Sequence, residues 1–315
     1  MVRRLFGVVA VAALTVGVPG VVQAGPFILA GTDADDHGSV SAGVNQDGWF
    51  FMQRALENLA PGVTNTNKVV VTLGSSTGTA LDAATSAFNL SSLPGLGWTL
   101  LSVDGAPDIT SFLTGGTVGS ATLATTGIIM LDSGVNVIGG LTAAEMTALA
   151  ANAADINNFV GAGGGLFSQA NGYGWLSTLI PGLTVVDEFE TGIALTPTGN
   201  AAFPGLSNAD LSAGPYHNRF ENVGLIPVLG ISTVTQNNII IGGASGSITD
   251  PGRVPEPGTV TLLGLALAGL GFARRKRGEF GSVSDATRGG REAAPCHFRS
   301  SARIGMPYGV RQPLT

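Results

Sequence analysis

The chain has 315 residues, a net charge of −6, 48 glycines and a single cysteine. One cysteine excludes a disulfide framework, and a span of roughly 220 residues between the two ends is long enough for one sizeable domain with a real core. The charge is unevenly placed: between residues 25 and 250, Arg54, Lys68 and Arg219 stand against 12 Asp and 5 Glu, a net of −14. So acidic a surface repels a phosphate backbone, which excludes nucleic acid as a partner and suits an extracellular protein that tolerates divalent cations.

In chain order, Arg3 and Arg4 precede an apolar run from Leu5 to Val18, and the next residues end in Val22-Gln23-Ala24. Basic, apolar and small-residue regions in that order predict a signal peptide over 1–24, cut by signal peptidase after Ala24. Both the general secretory route and twin-arginine export stay open. The stretch Pro26 to Ala30 predicts a short buried strand, followed by an acidic loop carrying Asp33, Asp35, Asp36 and His37. Asp47 is placed to cap a helix over 48–59, in which Phe51, Ala55, Leu56 and Leu59 recur at helical spacing. Further strands are expected at 68–73, 98–103 and 127–131, separated by helices at 80–88 and from Asp108 to Leu113. The longest predicted helix runs over 142–160, with Glu145 in its first turn, and Gly163-Gly164-Gly165 stops it before a strand that reaches Ser168. Runs at 183–186, 225–231 and 238–241 add strands.

Apolar strands alternating with helices predict an α/β domain over 25–244, an open and mostly parallel sheet with helices on both faces. A short polar linker follows at 245–253. In such a sheet ligands bind outside the carboxyl ends of the strands, which directs attention to the loop after the first strand. Three carboxylates within four residues repel one another unless a cation sits among them. Asp33, Asp35, Asp36 and His37 are therefore the candidate ligands of a divalent cation such as calcium, although Val44 rather than Glu stands where an EF-hand would close. A solvated, Asp-capped turn is the other reading of this loop.

Toward the C-terminus, Pro255-Glu256-Pro257 is followed by 16 uncharged residues from Gly258 to Ala273 and then Arg274, Arg275, Lys276 and Arg277. The prolines break any helix before Gly258. As a helix the apolar run would span about 24 Å, somewhat short of the roughly 30 Å hydrocarbon core, with the cations held on the cytoplasmic side. This layout over 254–277 resembles the PEP-CTERM sorting signal. The resemblance implies transient anchoring in the inner membrane through 258–273 and processing by an exosortase-type enzyme near Pro255, Glu256 and Pro257. It also implies delivery to the cell surface or the extracellular polysaccharide matrix. Residues 278–315, with five Arg and Cys296, carry no hydrophobic period and read as a disordered or extraneous extension.

Within the core, Ile156-Asn157-Asn158-Phe159-Val160-Gly161-Ala162-Gly163-Gly164-Gly165-Leu166-Phe167, the later Phe203-Pro204-Gly205-Leu206 and Pro215-Tyr216-His217-Asn218-Arg219-Phe220 resemble class I glutamine amidotransferase-like domains, including the ThuA-like branch. The resemblance implies a flavodoxin-type fold but not the family's chemistry, because no cysteine follows the glycine-rich strand. Ser168 is the nearest hydroxyl, with His217 and either Asp187 or Glu190 as partners, yet it lacks the flanking glycines of a nucleophile elbow. The sequence thus leans away from an enzyme and toward an exported surface or matrix protein that binds a glycan, a cation or a protein. The alternative is an exported hydrolase with a metal-assisted or serine-based site at the strand-end loops.

Overall fold

Five short runs rich in β-branched and aromatic residues form parallel strands: β1 (Pro26–Ala30), β2 (Val69–Leu73), β3 (Thr99–Val103), β4 (Ile128–Leu131) and β5 (Gly165–Ser168). They lie side by side in the order β1-β5-β4-β2-β3. The computed structural model describes residues 25–247. Ala24 and the signal peptide, the sorting residues Pro255 to Arg277 with the apolar run 258–273, and the tail 278–315 lie outside the described residues. Among the described residues, no helix is long and apolar enough to cross a membrane.

The strands are continuously apolar because both faces of the sheet are covered. Phe27, Leu29, Val71, Leu73, Ile129, Leu131 and Leu166 turn to one face, where they meet α3 (Ala106–Leu113), α4 (Ala143–Ala151) and α5 (Ala153–Gly161). Ile28, Ala30, Val70, Ile128, Met130 and Phe167 turn to the other, against α1 (Asp47–Leu59) and α2 (Gly78–Asn89). On that second face the ring of Phe51 packs edge-on against Phe167 and Phe203, with centroids 5.8 and 5.3 Å away.

The other half of the sheet is antiparallel and extends it beyond β1. It comprises β6 (Thr184–Thr191), β7 (Ile193–Leu195), β8 (Pro215–Glu221), β9 (Val228–Ser232) and β10 (Asn238–Ser247). β10 pairs antiparallel with β1, β8 with β10, and β6 with β8, while β9 joins β10 and β7. The parallel layer matches the expected architecture; the antiparallel wing is additional to it.

Three local features differ from the sequence reading. The helix expected over 142–160 breaks at Asn152, whose side chain donates to the Ala148 carbonyl at 2.8 Å and so competes with the helical ladder. Helix α1 begins at Asp47 itself, which has φ +54, and no side chain caps it. His217 sits on strand β8 rather than in a loop, in a segment where Tyr216, Asn218 and Phe220 are buried and alternate with more exposed neighbours.

The strand β8 crosses the end of β1 at a point where only glycine fits. The Gly31 carbonyl accepts from the backbone N–H groups of His217 and Asn218 at 2.6 and 3.1 Å, and a Cβ on Gly31 would stand 1.8 Å from the Asn218 carbonyl oxygen. Gly31→Ala must therefore push the two strands apart. A loss of more than about 2 kcal/mol of stability is expected, read from the urea midpoint; an unchanged midpoint would show that the crossing is not constrained.

Candidate functional site

Because β1, β4 and β5 are adjacent and parallel, their carboxyl ends deliver three loops to one place. The loop after β1 brings Asp33, Asp35, Asp36 and His37; the loop after β4 brings Asp132 and Ser133; the loop after β5 brings Gln169 to Gly172. The wing then adds β6 and β8 from the side. Between them lies a cavity of about 490 Å³, lined on the loop side by Ser133, Val135, Asn136, Ala170, Asn171 and Gly172, with Met146 from α4. On the wing side it is lined by Asp187, Glu188, Phe189, His217 and Asn218. Among the described residues, no Lys or Arg lines it.

Asp33 does not line this cavity but lies behind it, in contact with His217 of its wall. Its side chain is 5 % exposed, and its Oδ2 lies 2.9 Å from His217 Nε2 and 3.3 Å from His37 Nε2. Asp36 Oδ2 is 3.8 Å from the same His37 nitrogen. Asp33, Asp36 and His37 thus bring a ligand atom each within 4.8 Å of one another. Asp35, between them in sequence, points the other way. It is buried, accepts from the Ser133 backbone N–H at 2.8 Å, and burial pushes its carboxyl up to about 6.

Asp132, which the sequence reading did not single out, follows β4 as Asp33 follows β1. It is buried and accepts from the backbone N–H groups of Gly134 and Leu141 and from the Ser75 hydroxyl, all at 2.8 to 2.9 Å. Burial, reinforced by the charge of Asp35, raises it to about 7 against these hydrogen bonds.

Glu188 behaves in the opposite way. Burial alone would raise it, but hydrogen bonds from Arg219, Thr235, Tyr216 and Asn237 outweigh that and hold it at about 2. It is a fixed anion that ties β6 to β8 and the turn before β10. The next residue, Phe189, is 70 % exposed, and its ring stands edge-on to His217 with centroids 5.1 Å apart.

The remaining candidates fall as follows. Ser168 is fully buried; its hydroxyl donates to the Gln169 carbonyl and accepts from Asn171 Nδ2, and it does not line the cavity. The carboxylate that meets His217 is Asp33, whereas Asp187 accepts from Asn218 at 3.0 Å and Glu190 is exposed on β6. Trp175 is buried in the core and donates to Asn171 Oδ1. Phe189 was missed because an aromatic between acids on a polar strand carries no periodic signal. Asp132 could have been found by the rule that singled out Asp33, a carboxylate directly after an apolar parallel strand.

Residues 253–277 match the PEP-CTERM protein-sorting motif. That motif marks an exported protein processed by an exosortase. No curated protein and no solved structure matches the chain.

The buried carboxylates make stability depend on pH. An Asp in the unfolded chain titrates near 3.8, whereas Asp132 titrates near 7 in the fold. Between those values the folded protein holds a proton that the unfolded chain has lost, so stability is fully present below about pH 4 and declines by a few kcal/mol as pH rises through 7. Asp132→Asn mimics the protonated acid, keeping an oxygen for Gly134 and Leu141 and an amide for Ser75. Its stability should fall less steeply over pH 4 to 7 than that of the wild type in denaturant titrations; equal slopes would refute the assignment.

Proposed function

We propose that this exported, exosortase-processed protein is displayed at the cell surface or released into the surrounding polysaccharide, and that its core domain binds a neutral saccharide in the strand-end cavity. The domain serves as an amidotransferase-like scaffold adapted to binding. The observation that carries this reading is the exposed ring of Phe189 beside a cavity walled by amides and carboxylates with no cation. Asn136, Asn171, Asn218 and Asp187 offer the donors and acceptors that sugar hydroxyls require, and an aromatic ring packs against the apolar face of a pyranose. Val135, 74 % exposed, adds a second apolar element to the lining. Phosphorylated or sulfated ligands would meet Asp187, while the guanidinium of Arg219 is already taken up by Glu188 and Glu221.

The Asp33–His217 pair supports a second reading, an exported hydrolase. His217 lines the cavity and is held by a buried carboxylate, the arrangement of a base that takes a proton from attacking water. Ser168 does not reach the cavity, so water is the better nucleophile in this reading.

Three measurements test these statements. Titration of the full-length protein with neutral oligosaccharides should show binding that Phe189→Ala weakens roughly tenfold or more, the cost of losing an aromatic anchor. Hydrolysis of a glycoside panel that disappears in His217→Ala would select the second reading instead, and neither binding nor hydrolysis would remove both. Replacing Pro255, Glu256 and Pro257 together by Ala should leave the protein in the membrane fraction uncleaved; normal release would show that processing does not use the motif.

A further inference from the structure

The chain has three histidines, and two of them, His37 and His217, meet at a single carboxylate oxygen although His217 is 184 residues from Asp33 in sequence. Their Nε2 atoms stand 3.3 and 2.9 Å from Asp33 Oδ2, and Asp36 Oδ2 completes the group 3.8 Å from His37. We propose that His37, His217, Asp33 and Asp36 form a site for one divalent transition metal of the zinc class.

Donor spacing supports the assignment. Ligand atoms around a tetrahedral metal with bonds of about 2.0 to 2.1 Å lie roughly 3.3 Å from one another. Both histidine nitrogens stand near that distance from Asp33 Oδ2. Asp33, Asp36 and His37 each place a ligand atom within 4.8 Å of the others, while His217 reaches the group through Asp33 and must draw in toward Asp36 and His37 as the ion binds. Donor chemistry points the same way. Two imidazole nitrogens favour a borderline ion over calcium, which takes six to eight oxygens, and two carboxylates neutralise the charge of a dication. Asp35 is no part of the set, since its carboxylate holds the Ser133 backbone.

A second observation is independent of these distances. Thr32 and Asp33 each carry a buried oxygen, Oγ1 and Oδ1, with no hydrogen-bond partner. Both residues and His37 line a separate cavity of about 10 Å³, room for one water-sized particle. Hydrogen bonds from two imidazoles to one oxygen would leave these two atoms unsatisfied, whereas a cation with its bound water gives them a partner.

The backbone is shaped to hold the histidines there. A Cβ on Gly214 would stand 2.1 Å from the His37 ring, so the residue preceding β8 must be glycine for His37 to occupy its place. The loop itself is fixed by Asp36 N–H donating to the Asp33 carbonyl at 3.0 Å, by Gly48 N–H donating to the His37 carbonyl at 2.8 Å, and by Trp49 Nε1 donating to the Asp35 carbonyl at 2.8 Å. His217 also lines the larger cavity, so the ion would face whatever occupies it. The inference does not rest on the saccharide reading, because zinc uptake is measured with no saccharide present.

The test is a zinc chloride titration of chelator-treated, full-length protein, followed by calorimetry and thermal melting. One equivalent of zinc should bind and raise Tm, since a ligand of the native state stabilises it. His37→Ala and His217→Ala should each weaken binding by on the order of a hundredfold, as expected when one of a few ligands is lost. Cys296→Ala combined with His297→Ala, which removes the thiol and the remaining imidazole of the sequence, should leave it unchanged. Where a histidine variant does not fold, zinc-induced shifts of the His37 and His217 imidazole nitrogen resonances in the wild-type protein give the same answer. Failure to take up zinc, uptake that survives both histidine substitutions, or wild-type resonances that do not move would each overturn the site.

Discussion

The architecture turns on the crossing of β8 over the end of β1 at Gly31. One carbonyl oxygen there accepts two backbone N–H groups, and the absence of a side chain lets a strand of the antiparallel wing lie against a strand of the parallel layer. That contact reinforces the β1–β10 ladder, which joins two halves of a sheet with different rules of pairing. It also sets the register of β8, so that His217 and not a neighbour reaches Asp33. A shift of one residue would turn Tyr216 or Asn218 toward Asp33 and send the histidine to the other face.

The parallel layer was legible in the sequence. Of the wing, the runs at 183–186, 225–231 and 238–241 were legible as strands, but their antiparallel pairing and the strand Pro215–Glu221 were not, for a physical reason. Strands such as Ile128–Leu131 are buried on both faces and announce themselves as unbroken apolar runs. Pro215–Glu221 has only alternate residues buried, and between them stand the half-buried His217 and Arg219, so its period of two is hidden among polar side chains. The site divides in the same way. Asp33, Asp36 and His37 share one loop and could be read together, but their partner His217 depends on the register of a strand that no local pattern reveals. Asp35 illustrates the limit of composition: three acids in one loop look equivalent, yet the turn sends one inward to the Ser133 backbone and leaves two facing the histidines.

Electrostatics separates the molecule's address from its work. The core domain is strongly acidic, while the basic residues gather near the N-terminus, in the PEP-CTERM motif and in the last 38 residues. Inside the domain the acids take three roles: buried carboxylates that hold loops and favour a proton, a fixed anion at Glu188 that never gains one near neutral pH, and the half-exposed group around Asp33. Among the described residues only the last faces histidines.

The anchoring of Glu188 has one more consequence. Four side chains grip this carboxylate, and Phe189 is the next residue along the same strand. The backbone under the aromatic ring is therefore immobilised before any ligand arrives. A molecule docking against Phe189 would not have to freeze a loop in order to gain its contact, so little conformational entropy is lost on association. The same rigidity would narrow the range of ligand shapes that fit, making the cavity a selective receptor rather than an adaptable one.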